Sequence, residues 1–111
     1  MASRRKEQQE DVKMRVFQMI SQNPQMTTRK IAQKVGISNG SAHYLLKSLI
    51  NMGYVKLSNF KDGSHNVKYS YLLTPKGIRK KSLLTSRFLL RKKKEYELLK
   101  KEITELERDL S

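Results

Sequence analysis

The 111-residue sequence predicts a mainly α fold with one small β-hairpin, closed by a long helix. Three observations carry that expectation. Apolar residues recur at helical spacing in three successive patches before Gly53. The period then changes, and two short β-branched and aromatic stretches flank "KDGSHN". From Lys76 to Leu110 there is no proline and only one glycine, Gly77.

The first helix is expected from about Glu7 to Gln22, where Val12, Val16, Phe17, Met19 and Ile20 share a face; Asn23-Pro24 ends it. The second starts at Thr27 or Thr28, a capping hydroxyl, and carries Ile31, Ala32 and Val35 to Gly36. The third follows Ser38 and lines up Ala42, Leu45, Leu46, Leu49 and Ile50. It stops at Asn51-Met52-Gly53, where Gly53 suits a left-handed C-terminal position. Tyr54 to Phe60 and Val67 to Leu73 then read as paired strands with a turn at Asp62-Gly63. Thr74-Pro75 is a cap followed by proline at the first helical position. It opens a helix of about 36 residues, roughly 54 Å long.

Charge narrows the function. Residues 12–94 hold eighteen bases and one acid, Asp62, whereas 1–11 balance and 95–111 carry six acids against three bases. A folded domain so short of acids repels itself unless its partner is a polyanion, and nucleic acid fits better than a lysine-rich solubility surface. A basic membrane-surface helix fits less well, because no basic helix has a large aromatic or leucine face free. There are no cysteines, no signal-peptide pattern and no apolar run beyond three residues, so a soluble, cytoplasmic chain is expected with no membrane partner. Catalysis is not expected. His43 and His65 lack companions at metal-ligand spacing, and no phosphate-binding glycine pattern occurs, so no cofactor or metal is implied.

The stretch "IAQKVGISNGSAHYLL" is the informative one. A helix-turn-helix needs an abrupt stop and a close crossing. Gly36 supplies the turn, Ala32 the contact, and Ile31, Val35, Ile37, Ala42 and Leu45 the apolar pins. The small polar run Ser38, Asn39, Gly40, Ser41 then opens a candidate recognition helix, 38–52, whose first turn can approach base edges in a major groove. Asn39 suits adenine, Lys47 a guanine or a phosphate, and Ser41 either kind of contact, while His43 and Tyr44 suit bases, sugars or phosphates. No arginine lies on this helix, so specificity leans on other contacts or on DNA shape. Arg29 and Lys30 are placed for phosphates. The hairpin, 54–73, makes a wing whose Asn59, Lys61, His65, Asn66 and Lys68 can enter a minor groove or follow the backbone. The expected organisation is a winged helix-turn-helix domain over 7–74 followed by a long C-terminal α-helix over 75–110.

With "IAQKVGIS…LLKSLINMGYV" and the hairpin, the chain resembles winged helix-turn-helix regulators of the MarR type. The stretch "NFKDGSHNVKYSYLLTPKGIRKKSLLTSRFLLRKKKEYELLKKEI" is similar to the small MarR-type regulators associated with exopolysaccharide gene clusters. The resemblance covers roughly residues 10–108 and implies a dimeric transcriptional regulator that binds double-stranded DNA. Many larger MarR-type proteins have a pocket for small phenolic ligands; for this shorter chain the resemblance implies no particular effector.

In the long helix, Leu83, Leu84, Phe88, Leu89 and Leu90 are expected to form a broad stripe against the first helix and the core. From residue 96 the pattern narrows to a coiled-coil-like seam, Tyr96, Leu99, Ile103, Leu106 and Leu110. Continuous with Phe88 and Leu89, it is the candidate homodimer contact, with parallel and antiparallel pairing both open, the alternative being that it folds back on the chain's own helices. Arg91 to Lys94 read either as a solvated face or as DNA-backbone contacts. A non-specific architectural DNA-binding protein, or an adaptor for an acidic protein, are the competing functions.

Overall fold

The computed structural model of the chain describes residues 4–61 and 67–111, the side chains of residues 59–61 and 67–68 excepted. Helices α1 (Arg4–Gln22), α2 (Thr28–Val35) and α3 (Asn39–Asn51) precede strands β1 (Val55–Lys61) and β2 (Val67–Leu73), and α4 (Pro75–Leu110) follows. The expected turn at Asp62-Gly63, with His65 and Asn66, lies outside the described residues. Among those described, no helix is long and apolar enough to cross a membrane.

The stop signals act as the sequence implies. Thr27 Oγ1 accepts the Lys30 N–H at 3.1 Å and starts α2. Gly36 ends α2 with φ +83°, a left-handed conformation that costs a glycine little, while its N–H and that of Ile37 both reach the Ala32 carbonyl. Ser38 Oγ accepts the Ser41 N–H at 3.1 Å and starts α3. Thr74 Oγ1 accepts the Gly77 N–H at 3.0 Å, with Pro75 at the first position of α4.

The core is one cluster drawn from every helix. Met14, Val16, Phe17 and Ile20 of α1 meet Ile31 of α2, Leu46 and Leu49 of α3, Val55 of β1 and Leu84 of α4. Each large side chain buried there contributes about 1.5–3 kcal/mol. The hairpin is antiparallel with Val55 opposite Leu73 and Lys61 opposite Val67. It is stitched to the helices by the Tyr71 N–H, which donates to the Pro24 carbonyl at 2.8 Å, and by a 2.9 Å hydrogen bond between the Tyr71 and Thr28 hydroxyls. The wing is therefore held against the start of α2.

Three expectations need correction. α1 begins at Arg4 instead of Glu7, since Arg4, Arg5 and Lys6 are good helix formers with no breaker before Glu7. Further along, Glu10 accepts from Arg87 at 2.8 Å, and Arg91 bridges to Asp11 and Glu10, tying α1 to α4. β1 begins at Val55, because Tyr54 serves as the seat of α4. The broad stripe on α4 is much narrower than expected. Leu84 is buried and Phe88 half-buried against the core, whereas Leu83, Leu89 and Leu90 are 46%, 50% and 60% exposed. At 100° per residue these five side chains span most of the helix circumference, and a single packed neighbour covers only one arc.

Which arc faces inward is set at Gly77. A Cβ there would run into the Tyr54 carbonyl oxygen. That carbonyl accepts the Thr74 N–H at 3.1 Å, and Thr74 Oγ1 donates to the Gly53 carbonyl at 2.6 Å. Lys76 Nζ donates to the Met52 carbonyl at 2.8 Å and lies 4.9 Å from the Tyr54 ring centre, which itself meets Phe17 edge-on. The helix thus rotates so that its bare side touches the backbone before β1.

Candidate nucleic-acid interface

α3 divides cleanly around its axis. Ala42, Leu46 and Leu49 are buried, and Leu45 and Ile50 half-buried, which pins one side to the core. Asn39, Gly40, Ser41, His43, Tyr44 and Lys47 are all exposed on the other. Every residue of the candidate recognition set on this helix therefore shares one solvent-facing surface. Nothing lies within 4 Å of a Cβ built on Gly40, so that turn presents bare backbone.

Ser38 differs from the rest of the set. Its hydroxyl accepts the Ser41 N–H and donates to Ser41 Oγ at 2.9 Å, so it acts as the cap. Ser41, having accepted that proton, keeps its own for a ligand oxygen. The free amides of the first turn and the macrodipole favour an anion at this end.

Arg29 and Lys30 stand exposed in the first turn of α2, whose helix crosses α3 at the Gly36 turn. Asn59, Lys61 and Lys68 lie on the paired strands, their side chains outside the described ones; His65 lies outside the described residues altogether.

One feature was not legible in the sequence. Tyr44 is 78% exposed and lies in a shallow groove shared with Arg5, Gln8, Gln9 and Lys13 of α1. Two further cations thereby join the α3 surface from α1, Arg5 from the charge-balanced residues 1–11 and Lys13 from just beyond them. Two of the three acids in residues 1–11 face elsewhere: Glu10 and Asp11 pair with Arg87 and Arg91 of α4. Glu10 and Asp11 turn to α4, while Arg5 and Lys13 line the groove beside Tyr44.

The same pairs revise the reading of Arg91 to Lys94. Arg91 is committed to Asp11 and Glu10, and Lys92 pairs with Glu95 at 3.1 Å and lies 5.2 Å from the Phe88 ring centre. Lys93 and Lys94 remain exposed.

Comparisons with known proteins agree with this architecture. A family model described as winged helix-turn-helix DNA-binding matches residues 9–56. No curated protein matches the chain. Among solved structures, a Staphylococcus aureus MepR variant bound to an oligodeoxyribonucleotide is similar, with TM-score 0.63 and 17% identity over 96% of this chain and 88% of that one. The transcriptional repressor CouR, bound to a 23-mer DNA duplex, gives TM-score 0.55 and 20% identity over 82% and 70%. Staphylococcus aureus MarR in complex with salicylate and kanamycin gives TM-score 0.55 and 19% identity over 79% of this chain, which spans 56% of that one. At such identities the likeness shows a shared fold, a winged helix-turn-helix of the kind found in MarR-family regulators.

Proposed function

We propose that the chain is a sequence-specific, double-stranded DNA-binding transcriptional regulator acting as a homodimer in the cytoplasm, of the small exopolysaccharide-associated MarR type. Residues 7–74 form the DNA-binding unit and 75–110 the dimerisation helix, coiled-coil-like from 96. The recognition helix, 38–52, enters the major groove, and the wing, 54–73, lies on the minor groove or the backbone. The observation that carries this reading is the exposed face of α3, polar, with the cation Lys47 and free of acids, with Arg29 and Lys30 also exposed in the first turn of α2.

In this arrangement Asn39 reads a base edge, Lys47, His43 and Tyr44 reach the groove or its walls, and Arg29 and Lys30 hold phosphates. Asn59, Lys61, His65 and Lys68 supply the wing contacts. The deciding experiment is selection of bound fragments from a random duplex pool. A regulator prefers its selected site by roughly a thousandfold or more over bulk DNA. Equal competition by random duplex would instead identify an architectural protein, and no duplex binding an adaptor.

Three substitutions probe the face. Asn39→Ala is expected to relax base choice at one or two positions, costing about 1–3 kcal/mol on the preferred site alone. Uniform weakening across sequences would make Asn39 a backbone contact. Arg29→Ala with Lys30→Ala is expected to weaken all duplexes and flatten the salt dependence by about 0.9 logarithmic units for each phosphate no longer neutralised; an unaltered slope removes the pair from the phosphate set. Gly40→Ala is expected to raise stability by about 0.5–1 kcal/mol, because the added methyl meets open space and helix propensity improves. The same methyl should weaken DNA binding where the backbone approaches the duplex. Gains in both stability and affinity would place Gly40 away from DNA.

A further inference from the structure

We infer that two copies of the chain pair through α4 as an antiparallel helix pair, with the dyad beside Lys94. This rests on the homodimeric reading and specifies its partner surface, register and orientation.

The seam is longer than the leucine pattern alone suggests. Ile78, Ser82, Thr85, Leu89, Lys92, Tyr96, Leu99, Ile103, Leu106 and Leu110 alternate at four- and three-residue spacing without a break, a coiled-coil repeat along almost the whole of α4. They occupy a different arc from Gly77 and Leu84, which face the chain's own core. Ile78 and Leu89 are exposed, as are all the apolar seam residues beyond them. From Lys92 onward every residue is exposed, so the second half of α4 packs on nothing within its own chain. An isolated helical extension of that length is marginal in water, and a second helix against its apolar stripe resolves this.

Charge selects a second copy and its direction. Residues 75–94 of α4 contain nine bases and no acid, whereas 95–111 contain six acids and three bases. Parallel pairing sets the basic halves side by side. Antiparallel pairing lays each basic half on the partner's acidic half. Centred at Lys94, the seam residues meet in complementary sizes. Ile78 faces the partner's Leu110, Ser82 the partner's Leu106, Thr85 the partner's Ile103 and Leu89 the partner's Leu99. Lys92 lies against the partner's Tyr96, where its ammonium can sit over the ring. In a parallel pair Ser82, Thr85 and Lys92 would each meet themselves, leaving two thin layers and a like-charge layer in the seam.

The flanks point the same way. Arg79 lies opposite the partner's Glu107 and Lys81 opposite the partner's Asp109, each pair occurring twice. At the dyad Lys93 and Glu95 each face their own copy once. Parallel pairing would instead balance two Glu95–Lys100 attractions against two Glu102–Glu107 repulsions. Exposed pairs of this kind contribute little stability individually; their sum chooses orientation.

The register also places the two winged domains. Each packs on α4 around Leu84, so the two lie about twenty residues apart along the axis, or about 30 Å. Half-sites one duplex turn apart are separated by about 34–36 Å.

Introduced thiols test this directly, since the chain contains no cysteine. Thr85→Cys and Ile103→Cys, prepared separately, are expected to stay monomer-sized on a non-reducing gel after mild oxidation, and to double in mass only when mixed. Self-linking of Ile103→Cys alone overturns the orientation in favour of a parallel pair. A mixture that stays unlinked while light scattering shows dimers overturns the register. A monomer by light scattering for the unmodified chain would instead defeat the homodimeric reading itself. An independent readout is a spin label on Ser111→Cys: the two labels are expected about 50 Å apart, and a separation near 10–15 Å, as side-by-side helix ends would give, excludes the antiparallel pair.

Discussion

Leu99→Asp combined with Leu106→Asp is expected to give a folded monomer whose affinity for the selected operator falls by about 10²–10⁴-fold, the gain that linking two binding units supplies. Both side chains are more than half exposed in the single chain, so the winged domain keeps its core. The cost falls on assembly, where two carboxylates per subunit would have to be dried within an apolar seam. Helix content should drop as well, because α4 beyond Arg91 then has no packing to hold it. Light scattering, circular dichroism and a duplex titration measure the three effects on one sample. A dimer that survives the double substitution would locate the subunit contact elsewhere. A monomer that binds the operator undiminished would mean that one recognition helix suffices.

The second large effect is expected at Gly77. Gly77→Ala should destabilise the chain by about 1–3 kcal/mol despite the better helix propensity of alanine, and Gly77→Val should cost more. The new Cβ meets a backbone carbonyl, that of Tyr54, and not a flexible side-chain end. Relief requires α4 to lift from the start of β1, which strains the Thr74 contacts to Tyr54 and Gly53 and the Lys76 contact to Met52. At about 4–8 °C per kcal/mol for a domain of this size, the thermal midpoint should fall by roughly 5–20 °C. Comparison at equal protein concentration is needed, since association in the proposed homodimer would couple to folding. An unchanged midpoint would show that α4 can pivot on Tyr54 without loss.

The two glycine substitutions work as a pair. Gly40 and Gly77 both lie in the first turn of a helix, and both are ordinary helical positions without positive φ. At Gly40 the added methyl finds open space; at Gly77 it finds a carbonyl. Sequence alone treats them alike, and only the approach of another segment separates them.

Local elements were readable because their causes are local. A capping hydroxyl, a glycine able to take φ +83°, and a change from helical to alternating period each act within a few residues. Hence α2, the Gly36 turn and α3 were legible almost to the residue, and so was the outward face of α3. The inward arc of α4 was not. Five apolar residues from Leu83 to Leu90 cover most of the helix surface, and no periodicity within α4 says which of them meets α1. Of the stripe read as packing on the core, Leu84 and Phe88 do so, while Leu83, Leu89 and Leu90 stay exposed. The basic run beginning at Arg91 likewise held no hint that its first member is tied to Asp11, eighty positions earlier.

The amino-acid sequence by itself determined the order of the elements, the sharp corner between α2 and α3, the near-absence of acids in 12–94, and the heptad along the last helix. Each follows from backbone preference, side-chain period or charge, which need no knowledge of distant segments. The tertiary structure alone decided that Gly77 seats α4 on Tyr54, and that this contact orients the whole helix. With α4 so oriented, Glu10 and Asp11 are drawn to Arg87 and Arg91, Arg5 and Lys13 are left beside Tyr44, and Ile78 and Leu89 are turned outward. Contact between segments far apart in the chain is a packing outcome, fixed by which surfaces can approach closely.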